Sequence, residues 1–351
     1  MAGTIAPVEA RLLETGALRV GLVVPVSGVL GLVGPCAINC AVLAAEEASR
    51  SGVNGRPIEL VLIDGGRPPR EVAREVGDLI TTGTIEAVVG THASDVRMSV
   101  ARAIASRVPF VYAPPYEGIG GAPGIYFLGE TPAQQLGLGL RHLRGRRRWF
   151  LLGNDYVWPR LVHAAARRRL GAAIAGERLV PYGTATTALD EIARLRPDAI
   201  LLSLIGSDLV QFNRAYAESG LTAARLCGAL EEHGLLGVGG DATGELYASM
   251  GYFHGLTTDA GLAFAERYTG RFGPDAPMLN GHGHGCYEAV AMLAALAARA
   301  GTLAVPDLDA VADGTTITSG RGLITLYGRQ VRRPVHLARA EGLDFHIVSS
   351  R

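Results

Sequence analysis

The fold is decided by a stretch that reads Trp149-Phe150-Leu151-Leu152-Gly153-Asn154-Asp155-Tyr156-Val157-Trp158-Pro159-Arg160. Its first four residues are apolar, and a short apolar run that stops abruptly is typical of a buried parallel strand. Residues 153–155 favour a turn, and Pro159 suits the first turn of a helix. We therefore predict a strand, a loop and a helix, with Tyr156 and Trp158 in the loop. Ligands bind at such loops in open α/β sheets. The alternative is that the two aromatic side chains cover a domain edge.

The same alternation of strands and helices runs through most of the chain. In the first half, the predicted strands are 18–25, 58–63, 87–90 and 109–112, and the predicted helices are 36–49, 70–81 and 96–106. After residue 126 the pattern restarts, with strands at 149–152, 176–181, 199–206 and 226–230 and helices at 132–143, 160–170, 188–196 and 207–219. Helices at 260–272 and 287–300 and edge strands at 322–327 and 345–348 complete the prediction. Such alternation predicts an α/β protein with two doubly wound parallel sheets.

Length and charge limit the function classes. A chain of 351 residues is long for one core, so two domains are expected. Lys+Arg and Asp+Glu both number 33, which gives a formal net charge of zero. A protein that mainly holds nucleic acid or a membrane surface needs excess positive charge, so we exclude direct nucleic-acid binding.

No cofactor, metal or catalytic motif is found in the sequence. The four cysteines lack CxxC spacing, and we predict small buried thiols, with a metal or redox pair as the alternative; they are Cys36, Cys40, Cys227 and Cys286. The run Gly281-His282-Gly283-His284-Gly285-Cys286 lacks a tetrahedral ligand set, and we predict loop histidines and no metal. The glycine-rich segment 118–124 does not lie between a strand and a helix, as a dinucleotide site requires. Without a recognisable nucleophile, we predict no enzyme activity, an amidase being the enzyme alternative.

The N-terminus bears on location. Residues 1–16 contain Glu9, Arg11 and Glu14 and no apolar segment followed by a small-residue cleavage site. This pattern is not that of a secretory signal, so we expect a cytoplasmic protein. The alternative is a periplasmic or cell-surface protein whose export signal is missing from this sequence.

Residues 153–160, Gly-Asn-Asp-Tyr-Val-Trp-Pro-Arg, also resemble a signature of type I periplasmic binding proteins, the Leu/Ile/Val-binding-like family, in its amide- and urea-binding branch. Further matches are Gly55-Arg56-Pro57-Ile58-Glu59, Pro115-Tyr116-Glu117-Gly118, Tyr126-Phe127-Leu128-Gly129 and Pro132-Ala133-Gln134. The resemblance spans roughly residues 19–347. This branch includes receptors of urea and short-chain amide ABC transporters and a cytoplasmic sensor that regulates aliphatic amidase operons.

The resemblance implies two Rossmann-like lobes joined by a three-segment hinge. It places the crossings near residues 126–129, 252–254 and 318–322. The first lobe is then expected to comprise 18–126 plus 255–319. The second lobe is expected to comprise 127–254 plus 320–351.

The candidate ligand-binding residues follow the predicted strands, where loops of both lobes meet at a cleft. They are His92, Ser94, Tyr112, Pro114, Tyr116, Tyr156, Trp158, Ser207, Glu231 and Glu232. A small neutral amide or urea needs hydrogen-bond donors and acceptors and aromatic walls, which these residues supply. The resemblance also shows departures, since His92 and Trp158 replace tyrosines of the relatives and Pro114 replaces a hydroxyl residue. These changes leave the size and polarity of the ligand open.

We therefore predict a non-catalytic binding protein for a short amide, urea or an analogue. Without an export signal, its partner is expected to be a cytoplasmic regulator protein, and the protein a sensor in amide or nitrile metabolism. The alternative is the substrate-binding receptor of an ABC transporter for urea, amides or branched-chain amino acids, which works with a membrane permease. A homodimer is left open.

Overall fold

The computed structural model describes residues 16–118 and 121–351. The stretch that bears on export, apart from Gly16, lies outside the described residues, and so do residues 119–120 of the glycine-rich segment.

The strands are β1 (Leu18–Val24), β2 (Ile58–Asp64), β3 (Ala87–Gly90), β4 (Phe110–Tyr112), β5 (Ile125–Phe127), β6 (Trp149–Asn154), β7 (Ile174–Val180), β8 (Ala199–Ser203), β9 (Ala224–Cys227), β10 (Leu246–Met250), β11 (Thr316–Ser319), β12 (Gly322–Tyr327), β13 (Gln330–Val331), β14 (His336–Glu341) and β15 (Asp344–Ser350). The helices are α1 (Gly34–Ser51), α2 (Pro69–Thr81), α3 (Ser94–Ile104), α4 (Pro132–His142), α5 (Val157–Leu170), α6 (Leu189–Leu195), α7 (Gly206–Glu218), α8 (Glu232–Val238), α9 (Asp259–Phe272), α10 (Gly281–Ala300) and α11 (Val305–Ala312).

Two sheets form two α/β lobes, which confirms the predicted fold class. The first sheet has the order β11-β12-β13-β5-β4-β3-β1-β2, and the second has the order β15-β14-β10-β9-β8-β6-β7. The central strands β1 to β5 and β6 to β10 pair in parallel, and the antiparallel pairs lie at one edge of each sheet. The carboxyl ends of the parallel strands therefore lie at one edge in each lobe, where a ligand site is expected.

The core of the first lobe lies largely between α1 and α10. Cys36, Cys40 and Cys286 are buried there as free thiols, as predicted. The segment Gly31–Ser51 is long and apolar enough to cross a membrane, but half of its apolar window is buried inside the lobe. Core helices of globular domains commonly have such composition, so we interpret α1 as one of them.

Strand β6 shows why the sequence signal for the second lobe is strong. Trp149 and Leu151 pack against α4 and α5 on one face, and Phe150 and Leu152 pack in the core on the other face. All six residues of β6 are buried. A strand covered on both faces needs apolar side chains at every position, which gives the continuous apolar run.

Two predicted loops are helical in the structure. Helix α5 begins at Val157, so Trp158 lies in its first turn and not in the preceding loop. Helix α10 begins at Gly281, so the loop predicted for the histidine-rich run is wrong. The Asn280 side chain accepts a hydrogen bond from the Gly283 N–H at 2.8 Å, and this N-cap starts the helix ahead of the histidines.

The third crossing between the lobes differs from the prediction. Strands β11 and β12 form a tight antiparallel hairpin in which Ser319 lies opposite Gly322. Strand β13 then pairs with both β12 and β5, so the chain stays in the first sheet as far as Val331. Residues 320–331 therefore belong to the first lobe, and their predicted place in the second lobe is wrong. The chain reaches the second sheet only at β14, which begins at His336.

Candidate ligand-binding site

The lobes touch across a cleft that contains a small cavity. The Ser207 N–H at the start of α7 donates a hydrogen bond to the Val29 carbonyl of the other lobe at 2.9 Å. Val29 and Leu30 pack against the second-lobe core. The cavity is partly open, has a volume of about 50 Å³ and lies at the carboxyl edges of both sheets.

The cavity wall combines predicted aromatic and polar residues with apolar residues that the sequence did not single out. The predicted ones are His92, Ser94, Tyr112, Pro114, Tyr156 and Trp158. The additional apolar ones include Leu30, Leu32, Val33, Ile205, Leu209, Val210 and Met250, and two further histidines are His233 and His282. The wall is therefore mainly apolar, with few polar groups.

Four predicted site residues do not line this cavity. Tyr116 is buried and stacks on the ring of Phe127, with a centroid separation of 4.3 Å. Ser207 contributes its backbone N–H to the contact between the lobes. The Glu232 carboxylate accepts the backbone N–H of His254 at 2.5 Å, and Glu231 lines a smaller cavity of about 10 Å³ beside the main one.

The first-lobe wall is positioned by the ends of β3 and β4. The Tyr112 hydroxyl donates a hydrogen bond to the His92 carbonyl at 2.7 Å, which holds the loop that leads into α3. Ser94 begins α3, so free N–H groups of that helix end lie at the cavity wall. Behind Tyr112, the buried Arg97 guanidinium pairs with Glu117 at 2.6 Å. This arginine is therefore neutralised away from the cavity.

His92 supplies a neutral acceptor. Burial, together with the nearby Arg97 charge, lowers its pKa to about 4. Its Nδ1 atom lies 3.2 Å from the Ala93 carbonyl, which can only accept, so Nδ1 carries the proton. Nε2 is then an unprotonated acceptor, and it is buried without a protein partner in the described part of the chain.

Trp158 supplies a donor from the opposite lobe. Its Nε1–H is also buried without a partner among residues 16–118 and 121–351. The Tyr156 ring lies 6.5 Å from the Trp158 ring and adds a second aromatic wall. Among the described residues that line the cavity there is no arginine or lysine. The cleft thus offers unpartnered buried nitrogens on His92, His233 and Trp158 and free N–H groups at the start of α3, with no arginine or lysine in the described wall.

An acid–imidazole cluster closes one end of the cleft. Nδ1 of His282, from α10 of the first lobe, lies 3.0 Å from Glu231 Oε1 of the second lobe. Nδ1 of His233 lies 3.6 Å from the other carboxylate oxygen, which is beyond hydrogen-bond distance. Burial disfavours the ionised carboxylate of Glu231 and the protonated imidazole of His282. Their contact outweighs burial, so the pKa of Glu231 is lowered and that of His282 is raised. The pKa of His233 is lowered by burial, so this imidazole is neutral.

Comparison with solved structures shows the same fold in solute-binding proteins. One relative, a solute-binding protein of an ABC transporter from R. palustris in complex with benzoate, has a TM-score of 0.81 at 18% identity, over 95% of this chain and 96% of that chain. A leucine-binding protein from Thermotoga maritima has a TM-score of 0.81 at 17% identity, over 95% and 98%. A branched-chain amino acid transporter substrate-binding protein from Streptococcus pneumoniae, in complex with isoleucine, has a TM-score of 0.79 at 15% identity, over 95% and 99%.

A sequence model of the periplasmic binding protein family matches residues 17–343. The expected cytoplasmic location is therefore wrong, because proteins of that family normally work in the periplasm. The resemblance at the level of the type I fold is confirmed, while its amide-binding branch stays a prediction. With nearly its whole length matched, the chain belongs to the periplasmic binding protein family.

Proposed function

We propose that the protein is the substrate-binding receptor of an ABC importer and that it binds a small neutral amide or urea-like ligand between its lobes. The observation that carries this proposal is the small cavity between the lobes, whose mainly apolar wall includes the unpartnered Nε2 of His92 and the unpartnered Nε1–H of Trp158. The sensor interpretation rested on a cytoplasmic location and loses its support with that location. Receptor function is favoured instead, because substrate-binding proteins of ABC transporters share this fold.

The cavity volume favours a ligand of few atoms. A bound water needs at least roughly 10–15 Å³ of such volume, so about 50 Å³ accommodates about three to five water-sized groups. Acetamide and urea, with about four non-hydrogen atoms each, have that size. Drug-sized ligands occupy sites of about 300–1,000 Å³, which is far larger.

The polar groups favour an amide over a charged ligand. An amide presents a carbonyl oxygen for the Trp158 N–H and an N–H group for Nε2 of His92. Both protein atoms are buried and otherwise unpartnered, so a ligand that satisfies them removes a cost of about 1–3 kcal/mol for each. A carboxylate would leave Nε2 of His92 without a donor and would face no arginine in the described cavity wall.

Uptake by cells tests receptor function. Cells that carry the native gene are expected to accumulate radiolabelled propionamide, and deletion of the gene is expected to reduce uptake to background. Complementation with the full gene should restore uptake. Unchanged uptake in the deletion strain, or recovery of the protein only from the cytosol, would contradict the receptor proposal.

Calorimetry on the purified protein tests the ligand class. Acetamide, propionamide or urea is expected to bind at least about 100-fold more tightly than isoleucine or benzoate, since about 2.8 kcal/mol separates a satisfied from an unsatisfied polar pair. Trp158→Phe, which keeps an aromatic ring but removes the N–H, is expected to weaken amide binding about tenfold.

The other tryptophan provides the matched control. Trp149 is buried in the same lobe and donates its indole N–H to the Arg146 carbonyl at 3.2 Å, away from the cavity. Trp149→Phe should lower the unfolding temperature and leave amide affinity unchanged. Tighter binding of isoleucine or benzoate than of any amide would show that the ligand class is wrong.

A further inference from the structure

The small cavity beside the ligand cavity is surrounded by charged groups from both lobes. Its lining includes Glu130, Glu231, His282 and Arg321, and it shares Pro114, Pro115, Met250 and His282 with the wall of the main cavity. The Glu231 carboxylate is 1% exposed and faces the first lobe across the cleft. A buried carboxylate stays ionised only when a nearby cation or hydrogen-bond donors compensate its charge.

We propose that His282 is that cation and that it determines ligand specificity: the first lobe supplies its own positive charge to Glu231, so the cleft selects ligands that carry no ammonium group. This inference rests on the proposed ligand site and names the charge that the site excludes. The contact that carries it is the 3.0 Å distance from His282 Nδ1 to Glu231 Oε1, which joins the two lobes.

The two neighbouring arginines form their ion pairs with Glu288 and not with Glu231. Arg321 places two guanidinium nitrogens on the Glu288 carboxylate, at 2.8 and 2.5 Å. Arg333 donates to the same carboxylate at 3.0 Å. Neither arginine forms a hydrogen bond with Glu231 in the described part of the chain, so His282 is the cation that contacts Glu231 directly.

Counting formal charges supports a protonated His282. The cluster contains three carboxylates, those of Glu130, Glu231 and Glu288, and two guanidinium groups, those of Arg321 and Arg333. A protonated His282 supplies a third positive charge to these groups, while burial and the neighbouring Glu231 raise the pKa of Glu232 to about 7. His282 also lies in the first turn of α10, where the helix dipole opposes a cation, so Glu231 is what holds the proton there.

A ligand ammonium group would therefore compete with His282 for Glu231. A neutral ligand avoids this competition and leaves the contact between the lobes intact. Removing the imidazole charge while keeping a hydrogen-bond donor is expected to reverse the preference for neutral ligands. Glu231 is then buried without a cation. The variant His282→Asn has that effect and is expected to recruit an external ammonium group.

A first measurement reads the ion pair without any ligand. Titration of the histidine rings by NMR, with His282 assigned from the His282→Asn spectrum, should show a pKa for His282 above the ordinary 6.5. In Glu231→Gln this pKa should fall below 6.5, because burial and Arg321, which lower it, are then opposed only by the charge of Glu130. An ordinary pKa that does not respond to Glu231→Gln would overturn the proposal.

A second measurement compares the binding affinities of propylammonium and propionamide by calorimetry. His282→Asn is expected to bind propylammonium at least about tenfold more tightly than the wild type does, since removing one partner of a buried charge pair typically costs several kcal/mol. The control is His346→Asn, which alters an exposed histidine 3.3 Å from Glu341 and should leave the wild-type selectivity unchanged. Circular dichroism confirms that each variant is folded.

The outcomes separate this proposal from the proposed function. If the wild type binds no amide but His282→Asn gains propylammonium binding, the role of His282 stands and the amide assignment fails. If the wild type binds propionamide and His282→Asn shows no gain for propylammonium, the role of His282 is refuted and the amide assignment stands. Tight propylammonium binding by the wild type would also refute the role of His282.

Discussion

Gly206→Ala is expected to weaken ligand binding by about 100-fold, because the methyl group prevents the lobes from closing. Gly206 begins α7 in the second lobe and lies against Val29 of the first lobe. A Cβ atom at this position would lie 1.9 Å from the Val29 carbonyl oxygen and 2.7 Å from its carbonyl carbon. These are backbone atoms, so the clash is relieved only if the first-lobe loop or the whole lobe moves away.

The same substitution also displaces a hydrogen bond between the lobes. The Ser207 N–H that donates to Val29 would move away with the displaced backbone. A closed state made less favourable by about 3 kcal/mol is populated about 100-fold less, and apparent affinity falls in proportion. Small-angle scattering should show that the radius of gyration of Gly206→Ala stays large at propionamide concentrations that compact the wild type.

Gly220→Ala is the matched control for this prediction. Gly206 and Gly220 both have positive φ, +51° and +70°, and they flank α7 at its two ends. An added Cβ at Gly220 meets nothing within 4 Å, so this variant carries the backbone strain without the clash between the lobes. It should lose about 1–2 kcal/mol of stability and keep its ligand affinity. Equal affinities of Gly206→Ala and the wild type would show that closure at Val29 is not needed for binding.

The sequence predicts the central strands well because their apolar runs reflect burial on both faces. Strand β10, Leu246–Met250, was not predicted, although all five residues are buried. It reads Leu-Tyr-Ala-Ser-Met, and the Ser249 hydroxyl interrupts the apolar run by donating to the Gln135 carbonyl at 2.6 Å. A buried serine that is satisfied by a distant carbonyl cannot be recognised from local sequence.

The site is less predictable, because it forms between segments that are far apart in sequence. The predicted aromatic residues follow strands, and strand order alone places them at the cleft. The apolar residues Leu30 and Val33 lie at the two ends of a short 3-10 turn beside the cavity, and no periodicity in the sequence predicts that they line it. His282 was missed because glycines on both sides of it suggested a loop, whereas the Asn280 cap makes that segment helical.

Glu288→Gln is expected to destabilise the protein by about 3–5 kcal/mol, the largest loss predicted for a single polar substitution here. The Glu288 carboxylate is fully buried in α10 and accepts hydrogen bonds from Ser319, Arg321 and Arg333. Removing its charge leaves two buried guanidinium groups close together without their shared anion. Urea denaturation at neutral pH should show the loss as a lower midpoint for the transition that includes the first lobe.

The pH dependence provides a second test of the same carboxylate. Burial opposes ionisation of Glu288, but the two arginines outweigh it and lower its pKa to about 2, against an ordinary value of 4.5. The native protein therefore binds fewer protons than the unfolded chain, so this stabilisation is fully present above pH 4.5 and is lost as pH falls towards 2. Glu288→Gln should lose less stability than the wild type over that interval.

Glu245→Gln is the control, because Glu245 pairs with Arg146 at 2.9 Å in a position where both side chains are about one-third exposed. Solvent screens that pair, and its loss should cost about 0–1 kcal/mol. The two expected losses of stability differ because of where the carboxylates lie. Glu288 joins α10 to the β11–β12 turn and to Arg333, where the chain leaves the first sheet. Glu245 lies at the surface of the second lobe. A loss below about 1 kcal/mol for Glu288→Gln would mean that water reaches the two arginines, and the buried ion cluster would then not hold the third crossing.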